Sequence, residues 1–194
     1  PNGVDTEYYR RNKVSPVDLP PHSLVFTGTM DFRPNVDAVL WFAREILPLV
    51  RQKIADAHFV IVGQRPHGRL AVLRNVASIT ITGDVEDTRP YIAAASVTVI
   101  PLRMGSGTRL KVAEALSMEA AIVSTTLGAE GFSIESGREL LLADDPVSFA
   151  KSIVDLIDDP ARGRSLGQAG RALAIDQYEW RKIVPKFEEC LARQ

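Results

Sequence analysis

The chain has 194 residues, of which 45% are hydrophobic and 24% are charged, as in an ordinary globular protein. This length fits one domain with its own core, and the composition excludes a disordered chain, a collagen-like chain and a coiled coil. Lysine and arginine number 23 against 24 acidic residues, which gives a formal net charge of −1. Such a balance provides no basic field that would collect nucleic acid or an anionic membrane, so we expect no nucleic-acid partner.

Cysteine content and hydropathy indicate the setting of the protein. The single cysteine, Cys190, has no partner within the chain and excludes a cysteine-based zinc site. The histidines are scattered without metal-ligand spacing, and we predict no metal site. No apolar run reaches the ~20 residues that span a bilayer, and the first residues lack the apolar stretch of a signal peptide. We therefore expect a reducing, cytoplasmic setting, and a chain that is cut from something longer.

Short apolar runs of strand length recur along the chain after a polar, turn-rich stretch at residues 1–22, which predicts a linker. Several runs consist almost entirely of Val, Ile and Leu, as is typical of strands buried on both faces of a parallel sheet. The predicted strands span residues 24–28, 58–63, 78–83, 96–102, 120–125 and 139–144.

Helical patterns separate these strands. Apolar residues with 3.6-residue spacing from Val36 to Val50 predict the first helix, and Pro185 predicts a kink or a late start in the last one. The alternation of strand and helix predicts an α/β, Rossmann-like three-layer domain with a mostly parallel sheet of about six strands. The other helical segments are predicted at residues 108–118, 150–157 and 180–191.

Glycines follow several of the predicted strands. Ligands bind to such sheets at the carboxyl ends of the strands. One glycine alone is more typical of a turn, but together on one sheet edge they predict an open floor on which a ligand lies. These glycines are Gly28, Gly63, Gly83, Gly105 and Gly107.

The stretch from residue 97 to residue 116 carries the strongest signal, because a strand there runs through the small-residue turn 105–108 into a helix. Thr108 is a suitable N-cap, and the free N–H groups of a helix N-terminus form an anion site. Arg109 and Lys111 add positive charge where it is unfavourable for the helix itself. We therefore favour phosphate binding over the alternative of two solvated basic residues.

The loop matches neither of the common nucleotide-binding motifs. Leu110 stands where G-x-G-x-x-G requires glycine, and no P-loop sequence occurs, so one anionic group at the helix N-terminus is the better match. Glu114 lies three positions after Lys111 on the same helix face. Its carboxylate can pair with Lys111 or accept hydrogen bonds from ligand hydroxyls such as those of a ribose, and the spacing leaves both open.

Five segments occur in an order that matches a known family. They are PNGVD (1–5), FTGTMDFRPNVDAVLWF (26–42), FVIVGQRP (59–66), ITGDVEDTRPYIAAASVTVIPL (81–102) and GSGTRLKVAEALSMEAAIVSTTLGAEG (105–131). Together they resemble the C-terminal, donor-binding domain of a GT-B-fold retaining glycosyltransferase of the superfamily called glycosyl transferases group 1. The first segment is similar to the interdomain hinge of that family and the last to its phosphate loop.

The resemblance implies a division of the chain and an exposed helix face. The face that carries Trp180, Phe187 and Leu191 is expected to be partly exposed or covered by a neighbouring chain, because the last helix of the family crosses to an N-terminal domain that is missing here. The implied parts are an interdomain linker remnant (1–22), a nucleotide-sugar donor-binding domain (23–178) and the crossing C-terminal helix (179–194).

Two departures from the family pattern concern charge. Members commonly carry two glutamates eight positions apart around the phosphate-loop helix; Glu114 occupies the second position, which binds the donor ribose, and Ser106 stands at the first. Many members also carry arginine and lysine in the first loop, where this chain has Thr29 and Pro34. The side chains expected to supply the charge instead are Arg33, Arg109 and Lys111.

The resemblance implies transfer of a sugar, with retention, from a nucleotide-diphosphate donor such as a UDP- or GDP-sugar, without a metal or cofactor. Arg109 and Lys111 would stabilise the departing diphosphate as catalytic residues. The acceptor, a glycan, lipid or small molecule, would bind to the missing N-terminal domain. That domain would also mediate any peripheral association with the inner face of the membrane, and this piece alone is expected to bind nucleotide but transfer little.

Three alternatives remain at this stage. The first is a GT-B nucleotide-sugar epimerase, which would convert a donor without an acceptor. The second is a non-catalytic nucleotide-sugar-binding module, which Ser106 favours. The third, a Rossmann oxidoreductase, is disfavoured by Leu110.

Overall fold

The computed structural model describes residues 3–105 and 107–191, with side chains through residue 185. Within those residues a six-stranded sheet forms, and every neighbouring pair of strands is parallel. This confirms the predicted Rossmann-like sheet. The strands are β1 (Ser23–Thr27), β2 (His58–Val62), β3 (Ile79–Ile81), β4 (Val97–Ile100), β5 (Ile122–Ser124) and β6 (Leu141–Leu142).

The strand order determines where a ligand can bind. The order is β3-β2-β1-β4-β5-β6, so β1 has β2 on one side and β4 on the other. The chain therefore reverses its direction of progress across the sheet at β1. In such sheets a crevice opens at the carboxyl ends of the two strands that flank this switch point.

Helices cover both faces of the sheet. A π-helical turn, Phe42–Ile46, joins the first two, and its Phe42 ring packs against Phe59 of β2 and Phe149, with ring centroids 4.4 and 6.1 Å apart. The α-helices are α1 (Arg33–Trp41), α2 (Leu47–Arg51), α3 (Arg89–Ala94), α4 (Leu110–Ser117), α5 (Pro146–Asp158), α6 (Pro160–Leu173) and α7 (Trp180–Leu191). None of these helices is long and apolar enough to cross a membrane.

Two helix boundaries differ from the sequence prediction. The helix predicted from residue 108 begins at Leu110, and its N-cap is Arg109, which makes no side-chain capping bond. Thr108 was therefore wrongly predicted as the N-cap, because the turn before α4 extends further than the pattern indicated. The last helix starts at Trp180 and continues through Pro185, so the late start is also wrong.

The longest helix, α6, was not predicted, and its glycines explain both the omission and the packing. A side chain at Gly167 would overlap the backbone carbonyl of Glu119, and a Cβ at Gly170 would lie 2.7 Å from Leu116 Cδ2. Glycine lowers helix propensity, but here it lets α6 approach α4 closely. The contact fixes the C-terminal end of α4, the helix that carries the candidate site.

The N-terminal stretch packs onto the domain, although its composition predicted a linker. The Val4 N–H donates to Tyr178 O at 2.7 Å, and the Trp180 N–H donates to Val4 O at 3.2 Å. Trp180 leaves 42% of its surface exposed. The side chains of Phe187 and Leu191 lie outside the described residues, so the exposed face that would cross to another domain stays a prediction, as do the domain boundaries.

Candidate functional site

A cleft of about 460 Å³ opens at the switch point, where the carboxyl ends of β1 and β2 meet the amino end of α4. The cleft lies where the strand order predicts a binding crevice. Six of the predicted site residues line it: Gly28, Gly63, Thr108, Arg109, Lys111 and Glu114.

The floor of the cleft depends on two glycines. A side chain at Gly63 would overlap the carbonyl oxygen of Gly28, and Gly63 has a φ of +147°. A Cβ at Gly28 would lie 3.0 Å from Lys111 Nζ and 2.8 Å from Asn35 Nδ2. Glycine at both positions therefore lets β1 and β2 end in close contact and lets the lysine side chain lie on the floor.

Lys111 projects from the first turn of α4 onto this floor. Its Nζ donates to Asn35 Oδ1 at 2.7 Å and lies 4.0 Å from the centroid of the Phe26 ring. Asn35 is itself oriented, because its Nδ2 donates to Thr29 O at 2.9 Å. Burial lowers the pKa of Lys111 to about 7, although the Glu114 charge opposes this shift. Within the described part of the chain, the partners of this ammonium group are thus an amide and an aromatic face rather than an anion.

Glu114 lies one turn further along α4 and is held by a tyrosine from the N-terminal stretch. The Tyr9 hydroxyl donates to Glu114 Oε1 at 2.9 Å. Burial raises the pKa of Glu114, while the Tyr9 hydrogen bond and the Lys111 charge oppose that rise. Of the two roles that the spacing left open, the pair with Lys111 is not formed: Lys111 bonds to Asn35 and Glu114 to Tyr9.

Arg109 lines the cleft, and its guanidinium contacts the turn before α4 and the loop after β5. Only 5% of Arg109 is exposed. Its Nη2 donates to Gly105 O at 2.6 Å and its Nε to Leu127 O at 3.2 Å, and Nη2 also lies 3.7 Å from Glu130 Oε2. This geometry favours a role in holding the glycine turn, so direct action of Arg109 on a leaving group stays a prediction.

The remaining predicted residues lie at the margin of the cleft or outside it. Gly105 packs against Pro34, whose Cγ would lie 2.8 Å from an added Cβ, and neither Gly105 nor Gly107 is among the residues lining the cleft. Gly83 and the exposed Arg33 also lie outside the lining. Ser106 lies outside the described residues.

Sequence reasoning missed several lining residues. Asn35 lies in a segment quoted for the family resemblance, but the motif does not show that its amide faces Lys111. Tyr9 is 105 positions from Glu114, and no local pattern links the two. Asp84 and Val85 line the cleft beside β3 and directly follow Gly83, which the sequence predicts as a site residue.

Comparisons with known proteins identify the family of the chain. The family model described as glycosyl transferases group 1 matches residues 21–159. An uncharacterized 44.6 kDa protein in the cps region of Klebsiella pneumoniae is 23% identical over 180 residues, covering 88% of this chain and 46% of that protein. A GDP-mannose-dependent alpha-(1-6)-phosphatidylinositol monomannoside mannosyltransferase of Mycolicibacterium smegmatis is 26% identical over 163 residues, 75% of this chain and 42% of that protein. The chain thus spans less than half the length of these curated relatives.

Solved structures show the same fold. Anabaena HepE in complex with UDP superposes with a TM-score of 0.79 at 16% identity, over 99% of this chain and 56% of that one. The C-terminal domain of LpcC, a glycosyl transferase group 1 family protein from Francisella tularensis, gives a TM-score of 0.71 at 17% identity, over 92% of this chain and all (100%) of that one. With the family model matching most of its length, the chain belongs to the glycosyl transferases group 1 family, and its fold is that of one half of a GT-B glycosyltransferase.

Proposed function

We propose that this chain is the donor-binding half of a glycosyltransferase that takes a sugar from a nucleotide diphosphate and transfers it, with retention, to an acceptor held by a further domain. One observation carries the proposal: Lys111 and Glu114 are both partly buried on one face of α4, in the lining of the same cleft. Lys111 and Glu114 are three residues apart, which corresponds to a rise of about 4.5 Å along the helix axis. Two groups at this spacing can bind the phosphates and the adjacent ribose of one nucleotide.

The chemistry of each group supports this assignment. Lys111 on the glycine floor, together with the N-terminus of α4, presents positive charge where a diphosphate would accumulate negative charge as it leaves. The chain's own groups supply this stabilisation, so we propose a metal-independent reaction. Glu114 has a second carboxylate oxygen available to accept hydrogen bonds from ribose hydroxyls.

The relatives support a nucleotide-sugar donor. The mycobacterial protein is named for its dependence on GDP-mannose, and HepE has been solved with UDP and with UDP-glucose. We propose a donor of this class without choosing the base. Retention, a cytoplasmic location and an acceptor domain that contacts the inner face of the membrane follow from the family resemblance and are part of the same proposal.

A thermal-shift panel tests the proposal. The chain is heated with UDP, GDP, ADP and TDP, with their sugars, and with the matching nucleosides. A ligand at 100 times its Kd stabilises the folded state by about 2.7 kcal/mol. We expect at least one diphosphate to raise the melting temperature more than its nucleoside does. If no diphosphate gives a shift at millimolar concentration, the donor-binding assignment is wrong.

A further inference from the structure

We propose that Tyr9 is a positioning residue for Glu114: its hydroxyl occupies Oε1 and so keeps the group a carboxylate whose Oε2 accepts the ribose hydroxyls of the donor. The inference deepens the proposed function and rests on it. It begins from the 2.9 Å hydrogen bond that Tyr9 Oη donates to Glu114 Oε1, across 105 positions of sequence. Both side chains line the cleft.

Two hydrogen bonds hold the backbone of Tyr9, one to its N–H and one to its carbonyl oxygen. The Tyr9 N–H donates to Asp5 O at 2.9 Å. Arg171 Nη1 donates to Tyr9 O at 3.2 Å and to Ser117 O, at the end of α4, at 2.5 Å. One guanidinium thus joins the tyrosine backbone to the helix that carries Glu114.

The neighbouring residue strengthens this anchor. The Arg89 guanidinium lies 3.5 Å from the centroid of the Tyr8 ring and donates to Tyr8 O at 2.7 Å. Asp87 in turn fixes Arg89 through a 2.7 Å ion pair. The stretch that carries Tyr9 is therefore held to α3 as well as to α6, and the tyrosine hydroxyl reaches into the cleft from a rigid base.

The hydrogen bond has a chemical consequence for Glu114. The titratable groups that face this carboxyl are Tyr9 and Lys111, and those that face Tyr9 in addition are Tyr8 and Asp87. Burial together with the Glu114 charge raises the pKa of Tyr9, so the phenol stays protonated and donates. Donation to Oε1 favours the ionised carboxylate, and it leaves Oε2 free to accept from the ligand. Without the phenol, the buried carboxyl protonates at a higher pH.

Tyr9→Phe tests the proposal because it removes only the hydroxyl. Calorimetry on the 194-residue chain with uridine and guanosine, from pH 5.5 to 8, gives the affinity profile for whichever nucleoside binds. We expect binding to Tyr9→Phe to be about tenfold weaker than to the wild type at pH 5.5, but within about twofold at pH 8. The loss is larger at low pH because removal of the Tyr9 hydroxyl raises the pKa of Glu114. As the pH falls, the carboxyl of the variant is therefore protonated before that of the wild type and accepts fewer hydrogen bonds from the ligand.

Tyr8→Phe is the matched control. It makes the same chemical change one residue away, and the Tyr8 side chain is about half exposed (49%). We expect its affinity profile to follow the wild type. Two outcomes would overturn the proposal. An unchanged Tyr9→Phe profile would show that the phenol and the carboxyl are not coupled. An affinity lowered equally at every pH would show that Tyr9 acts through packing or through direct contact with the ligand.

A double-mutant cycle covers the case in which Tyr9→Phe disturbs the fold. If Tyr9 acts through Glu114, adding Tyr9→Phe to Glu114→Gln should change nucleoside affinity by less than about twofold. A further tenfold loss in that background overturns the positioning role. Failure of the proposed function looks different: the wild type would then bind neither nucleoside nor UDP or GDP, whereas failure of this inference leaves wild-type binding intact.

Discussion

The two ends of the cleft hold their partly buried charges differently. At one end, the Lys111 ammonium faces the Asn35 amide and the Phe26 ring. At the other end, the Glu114 carboxylate receives a hydrogen bond from Tyr9. Burying a charge without a counter-charge is costly, and burial does lower the pKa of Lys111 to about 7. The Lys111 end, called the cation end below, therefore has no hydrogen-bonded counter-charge among the described residues. The Glu114 end has a hydrogen-bond donor of its own in Tyr9.

Arg109 sharpens this difference because it lies two residues before Lys111 and is also buried. Two of its N–H groups donate to the carbonyl groups of Gly105 and Leu127. The two cations at the start of α4 thus have different partners: the arginine contacts loop carbonyl groups, and we propose that the lysine meets the ligand. An incoming diphosphate would complete the lysine end and leave the arginine contacts intact.

Gly63→Ala is expected to have the largest effect, because both ends of the cleft share the glycine floor. The added methyl group would overlap Gly28 O, at a φ of +147° that disfavours any side chain. We expect a loss of about 3 kcal/mol or more in the free energy of unfolding, measured by urea denaturation. Gly83→Ala is the control, since it has a φ of +73° but open space around the Cβ, and its cost should stay near 1 kcal/mol. Equal costs for the two variants would contradict the close-contact argument.

Lys111→Ala comes next and affects only the cation end. We expect the affinity for a nucleoside diphosphate to fall by about 1.5–3 kcal/mol, the typical range for a hydrogen bond to a charged group. The affinity for the nucleoside should not change, and calorimetry with both ligands measures the difference. Lys151→Ala is the control, since that exposed lysine pairs with Asp155 on α5. An equal loss for nucleoside and diphosphate would show that the lysine acts on the fold of the cleft and not on the phosphates.

Glu114→Gln should have a smaller effect that extends to both ligands. The substitution keeps the shape and removes the charge, so the nucleoside and the diphosphate should each lose about 1–2 kcal/mol of binding free energy. Titration of the two ligands in parallel checks this expectation. Glu45→Gln, on the exposed surface of the turn after α1, serves as the control. If only the diphosphate weakened, Glu114 would belong to the phosphate end and the proposed division of the cleft would be incorrect.

The sequence predicts the sheet well because its strands are short, continuous Val/Ile/Leu runs that suit burial on both faces. It predicts α6 poorly because the glycines there have the low helix propensity of a turn, and only tertiary contact with Glu119 and Leu116 makes them favourable. Within the site, Lys111 and Glu114 could be predicted from a local motif. The Tyr9 contact could not, because it depends on how a distant segment folds back onto α4.

The smallest expected effect concerns protons and needs no variant to appear. At the Lys111 end of the cleft, binding of a diphosphate should be coupled to the uptake of a proton. In the free chain, burial lowers the pKa of Lys111 to about 7, so at pH 8 most of the lysine is neutral. A diphosphate placed against Nζ favours the ammonium form and raises this pKa again.

The sign of the coupling follows directly. Binding at pH 8 should take up most of one proton at Lys111, whereas binding at pH 6 should take up almost none there, since the group is already charged. Calorimetry in HEPES and in Tris, whose ionisation heats differ, measures the number of protons. Lys111→Arg is the control, because arginine remains charged at both pH values and because the diphosphate's own titration is common to both proteins. If wild type and Lys111→Arg take up the same number of protons at pH 8, the ammonium does not meet the phosphates, and the two ends of the cleft do not differ in the way described.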